Sequence, residues 1–180
     1  MHPHLRDVFA RLDEARAALK AAVEKTPADR RAQRPAPERW SAAEVLEHLS
    51  IAERLFIGRV AGAIEAARAA GLGTETETRS PLPEVIETRM ADRTNKRVAP
   101  APTRPTGEVE ADAAWSAIEE GHRRLRTLVQ AADGLALGEV TADHHFFGAL
   151  TVYQWIELMA AHEGRHTEQL EEIAAALRGE

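Results

Sequence analysis

The chain has 180 residues, 44% of them hydrophobic, which suffices for one domain with a sizeable core and excludes intrinsic disorder. Lys and Arg number 23 against 29 Asp and Glu, a net charge of −6, and no basic cluster carries interleaved aromatics, so no nucleic-acid partner is expected. Cysteine is absent, so disulfides, a protein thiolate and Cys-type zinc sites are excluded; a bound metal must use His, Asp or Glu, and a reactive thiol must arrive with a substrate.

The opening run Met1-His-Pro-His-Leu-Arg-Asp lacks the basic-then-apolar order of a secretory signal, and no stretch of about 20 apolar residues is present to span a membrane. A cytoplasmic location and a single domain over residues 1–180 are expected. Ala, Leu, Glu and Arg dominate and strand alternation is scarce, so the expected fold is all-α with four long helices. The first runs from about His4 to Lys25 on a stripe of Leu5, Val8, Phe9, Leu12, Ala15, Leu19 and Val23, and Pro27 ends it. The second opens at Ser41-Ala-Ala-Glu44, a capping box, with Trp40 and Val45 placed as a hydrophobic staple. Its stripe is Val45, Leu49, Ala52, Leu55, Phe56, Val60 and Ile64, and Gly71 and Gly73 stop it.

Residues 71–107 are broken by five prolines and read as a long crossover, with a short helix after Pro83. The third long helix covers about Glu108 to Ala132, and Asp133-Gly134 ends it. Residues 138–148, including Asp143-His-His-Phe-Phe, read as irregular. Thr151 caps the fourth helix, which runs to about Leu177. Helices with one apolar face each bury those faces together, and a bundle is the economical solution. The long crossover at 71–107 permits helices two and three to run parallel, in an up-down-down-up order.

His162 and His166 are spaced i, i+4, which puts both imidazoles on one side of the last helix, about one turn apart. They share the stripe Trp155, Leu158, Met159, Leu170 and Ile173. His48 falls on the line of Val45, Ala52 and Leu55. Three imidazoles turned into one interior need partners for their nitrogens, and a divalent metal is a shared one that leaves a position open. The competing account leaves them partly exposed, or hydrogen-bonded to carboxylates such as Glu44, Glu47 or Glu163. His144 and His145 are placed to line such a site. His2 and His4 read as belonging to a mobile terminus, His122 as structural, and Trp40, Trp115, Trp155 and Phe56 as core. Glu168, Glu171 and Glu172 read as a solvated face, with Arg165 directed to the surface.

The run Trp40-Ser-Ala-Ala-Glu-Val-Leu-Glu-His-Leu-Ser resembles the second-helix signature of the DinB/YfiT-like superfamily. Phe147-Gly-Ala-Leu-Thr-Val-Tyr-Gln-Trp-Ile, with His162-Glu-Gly-Arg-His-Thr-Glu-Gln, resembles its last-helix signature. Ala99-Pro-Ala-Pro-Thr-Arg-Pro-Thr-Gly is similar to the crossover of one branch. The resemblance implies a four-helix bundle in up-down-down-up order, a divalent metal on His48, His162 and His166, and a homodimer; Zn or Ni is the expected ion. Relatives of this kind join a low-molecular-weight thiol to an electrophile, isomerise with a thiol, or hydrolyse. Thiol transfer onto a small-molecule substrate is therefore the favoured expectation, with a metal-dependent hydrolase or a non-catalytic metal-binding stress-response module as alternatives. No catalytic acid or base is assigned.

Overall fold

The computed structural model describes residues 1–76, 81–94 and 98–180; the parts of the expected crossover at 77–80 and 95–97 lie outside them. The protein is mostly helical, with α1 (Pro3–Glu24), α2 (Ala42–Ala69), α3 (Glu84–Ala91), α4 (Ala111–Gln130) and α5 (Val152–Arg178). Single 3₁₀ turns at Ala28–Arg30 and Ala101–Thr103 punctuate the connections. The two helices that carry His48, His162 and His166 are the two that begin with capping boxes. Ser41 Oγ accepts from the Glu44 N–H at 3.2 Å and the Glu44 carboxylate accepts from the Ser41 N–H at 2.8 Å. Thr151 and Gln154 repeat the exchange at the start of α5, and Gly179 closes that helix at φ 83°.

Side-chain pairs set the helix directions. Arg11–Glu157, Arg16–Glu163 and Lys25–Glu171 climb together, so α1 and α5 run parallel. His48 meets His162 while Phe56, two turns later on α2, meets Trp155, so α2 and α5 run antiparallel. Gly121 brings α4 close to α2, where a Cβ would stand 3.3 Å from Ile57 Cδ1.

The interior is split into two apolar clusters. One gathers Leu12, Ile57, Leu125 and Met159 with their neighbours, the other Leu19, Leu49, Ile118 and Leu170. Between those residues on α1, α2, α4 and α5 lie Arg16, Glu53, His122 and Glu163, so a polar layer separates the two clusters. Arg16 donates from Nε to Glu163 and from Nη2 to both Glu163 and Glu53. His122 pairs with Asp13 at 3.1 Å.

Several expectations are corrected. The chain is not purely helical: residues Thr141–His144 (β1) and Gly148–Thr151 (β2) pair antiparallel, with His144 opposite Gly148. Four-residue strands are too short for alternation to register in sequence, and Gly148 at φ 73° supports the turn. The N-terminus is docked, because the Met1 ammonium pairs with Asp133 at 3.0 Å and the buried His4 ring stacks on Tyr153 at 3.9 Å. Leu55 is 41% exposed, and Ile57 carries the buried face of α2 instead. Val109 precedes α4 and is exposed. Of the aromatics expected in the core, Trp155 is buried, whereas Trp40, Trp115 and Phe56 are half-buried. No helix among the described residues is long and apolar enough to cross a membrane.

Candidate metal centre

His48 lies two turns into α2, and His162 and His166 lie in the middle of α5 on the facing side. Their Nε2 atoms converge: His162 to His166 at 3.1 Å and His48 to His162 at 3.4 Å, with one ligand atom from each ring within 4.8 Å of the others. On a tetrahedral ion with metal–nitrogen bonds of about 2.0–2.1 Å, two imidazole nitrogens stand about 3.3 Å apart. Both close contacts fall near that value.

The far nitrogens decide what the near ones offer. His48 Nδ1–H donates to the Thr103 carbonyl at 2.7 Å. His166 Nδ1 faces Gln169 Oε1 at 2.9 Å, which places its proton there. In the neutral rings both Nε2 atoms are then bare lone pairs directed at His162. His162 Nε2 can donate to only one of them, and its Nδ1 is buried without a partner among the described residues. One shared cation satisfies what the three rings cannot satisfy among themselves.

The electrostatics agree. Burial holds His48 below the usual imidazole range, partly offset by the Thr103 carbonyl. Burial, and then the neighbouring His48, push His162 down to about 3. His166 is held well below the ordinary value by burial, then by His162 and His48. All three are neutral bases near pH 7, the form that ligates. His48 and His166 are buried, whereas His162 is half-buried.

The carboxylates that might have explained the histidines are engaged elsewhere. Glu44 caps α2 and receives the Arg34 guanidinium; burial opposes its ionisation, but Arg34 and Ser41 outweigh it and hold it below the usual range. Glu47 binds the crossover and Glu163 binds Arg16. His144 is buried beside the cluster, not in it: its Nδ1 accepts from the Phe146 N–H at 3.2 Å and its ring packs on Phe147 at 4.8 Å and Trp155 at 5.3 Å. Burial first, then His145 and Arg59, push it down to about 4. His145 is exposed and lies at a tilt against Phe146. Two half-buried rings flank the site, Trp40 at 5.1 Å from His48 and Phe56 at 5.9 Å from His162.

Arg165 does not serve the open surface; it donates to the carbonyls of Met90 and Asp92 and docks the end of α3. Glu171 and Glu172 pair with Lys25, Arg39 and Arg93, so the acidic face is bridged to its neighbours. Residues that sequence reasoning passed over are Thr103 and Gln169. Gln169, three positions after His166, was findable from helical spacing. Thr103 contributes a backbone carbonyl, which leaves no trace in residue type.

The chain is 30% identical over 148 residues to the uncharacterized protein YuaE of Bacillus subtilis (strain 168), an overlap covering 78% of this chain and 81% of that protein. No solved structure gives a significant match. The matched stretch of YuaE adds no activity to the geometry, but a family model spans nearly everything between the docked N-terminus and the last turns of α5. That model is the DinB superfamily, matched over residues 11–170, a span that holds His48, His162 and His166, and the chain belongs to the DinB superfamily.

Proposed function

We propose that His48, His162 and His166 hold one divalent metal ion, Zn or Ni among the several that imidazole donors suit, and that the protein is a metal-dependent enzyme transferring a low-molecular-weight thiol to a small electrophile. The observation that carries the metal is the meeting of three Nε2 atoms whose rings have placed, or have no partner for, their other nitrogen. The parallel α1–α5 pair and the antiparallel α2–α5 pair support an up-down-down-up bundle as its scaffold.

When bound, the ion supplies a Lewis-acid position that lowers the pKa of a thiol or water placed there. The rest falls to the chain's own groups. Three neutral donors leave the metal's charge uncancelled, which favours an anionic sulfur. Trp40 and Phe56 present apolar surface on either side, so the electrophile brought there is expected to carry an apolar portion. No cysteine is present to compete for the metal or the electrophile. In the transfer a sulfur–carbon bond forms, the thiol proton is lost to solvent or buffer, and the leaving group or opened double bond of the electrophile takes the electron pair.

Metal analysis of wild type and of His48→Ala, His162→Ala and His166→Ala tests the site. About one equivalent per chain in wild type and loss in each variant is expected; equal content in all four rules the triad out. A panel of low-molecular-weight thiols with a generic electrophile, run with and without metal, then tests the reaction. Conjugation that needs both metal and thiol supports transfer. Metal-dependent ester or amide cleavage without thiol selects the hydrolase reading.

A further inference from the structure

Glu47 is 2% exposed and sits immediately before His48 on α2. No cation pairs with it among the described residues. Its carboxylate is compensated by one short stretch of chain instead. Oε1 accepts from the Thr106 N–H at 2.9 Å and from the Thr106 hydroxyl at 2.7 Å, and Oε2 accepts from the Gly107 N–H at 2.9 Å. The Thr106 hydroxyl is itself oriented, since it accepts from the Glu108 N–H at 3.2 Å. Gly107 adopts φ 79°, a left-handed conformation that a side chain would strain.

The same stretch begins with the turn Ala101–Thr103, whose last carbonyl receives His48 Nδ1–H. Two adjacent side chains of α2 therefore grip one segment, His48 at Thr103 and Glu47 at Thr106 and Gly107. Three charge-assisted bonds at one end hold the segment against α2. The single bond at the other end is the one that fixes the tautomer and direction of a candidate ligand.

We propose that Glu47 is a positioning residue for the metal centre, acting through residues 103–107 to hold the Thr103 carbonyl on His48. This rests on the metal-binding reading of the three histidines. Replacing Glu47 by Gln puts an amide N–H₂ against the donors of Thr106 or Gly107, so the segment loses part of its anchor while α2 keeps its length and packing.

The test is the affinity for Zn²⁺, measured by competition with a chromogenic chelator, with the visible spectrum of the Co²⁺-loaded protein as a second readout. In Glu47→Gln, Zn²⁺ affinity is expected to fall about 10- to 100-fold, the range for partners of ligating histidines, with one ion still bound per chain and a changed Co²⁺ spectrum. Thr106→Val should weaken binding less, and Thr106→Ser should restore it. Wild-type affinity and an unaltered Co²⁺ spectrum in Glu47→Gln overturn the proposal while leaving the metal site standing. If Glu47→Gln does not fold, equal affinities for Thr106→Val and Thr106→Ser overturn it. If wild type binds no Zn²⁺, or His48→Ala binds it as wild type does, the metal reading itself falls and the positioning role with it.

Discussion

Arg16 is the residue on which the polar layer between the two apolar clusters depends. It grips Glu163 through two nitrogens and Glu53 through one, so negative charge is best compensated on Glu163. Glu53 Oε1 is buried without a partner among the described residues, and burial first of all pushes Glu53 up to about 8. Burial raises Glu163 as well, against the pull of Arg16, so protonation is favoured on Glu53, the carboxyl that Arg16 compensates less. The sign of the pH dependence follows. A carboxyl whose folded pKa lies above its ordinary 4.5 binds more protons folded than unfolded, so its stabilisation is complete below about 4.5 and lost as pH rises through about 8. Glu53→Gln, which keeps the layer neutral, should lose less stability than wild type between pH 7 and pH 9 in denaturant titrations; parallel losses would contradict this assignment. Glu163→Ala leaves Arg16 buried without its main partner and should cost about 3–5 kcal/mol in the same measurement.

At the scale of elements, the caps matter because the histidines ride close behind them. Ser41 starts α2 seven residues before His48, and loss of its hydroxyl frees the Glu44 N–H. Ser41→Ala is expected to destabilise the protein by about 1 kcal/mol by chemical denaturation, with Zn²⁺ affinity reduced only as far as the first turns fray. The β1–β2 hairpin is tied to the helices by the Trp155 indole on the Ala142 carbonyl at 3.1 Å and by Arg59 on the Asp143 carbonyl at 3.2 Å. Gly148→Val places a branched side chain at φ 73° and should cost about 1–3 kcal/mol, read as a lowered thermal midpoint. Capping boxes and helix spans were legible because they are written in four to seven contiguous residues. The hairpin was not, because its pairing joins segments whose own patterns are only four residues long.

For the molecule as a whole, metal and fold are linked by mass action. An ion at 100 times its dissociation constant adds about 2.7 kcal/mol to a protein that binds it only when folded. Chelation should therefore lower the thermal midpoint of wild type and leave that of His166→Ala unmoved. Helix content at room temperature should survive chelation, since two apolar clusters on either side of the polar layer pack without the ion. A chelator that unfolds the chain outright would mean that the site, not the core, holds the helices together.

Residue types and their spacing determined by themselves the mostly helical chain, the caps at Ser41 and Thr151, and the placing of His48, His162 and His166 on inward faces, because helical periodicity is a local property. The family resemblance was legible in the same two segments. What only the tertiary structure decided is that a ring 114 residues before His162 reaches it at all, which ring nitrogen each imidazole turns inward, and that Glu47 grips a loop instead of a histidine. Those outcomes depend on contacts between distant segments. Several run through backbone carbonyls and N–H groups that nearly every residue carries alike, so no residue type announces them.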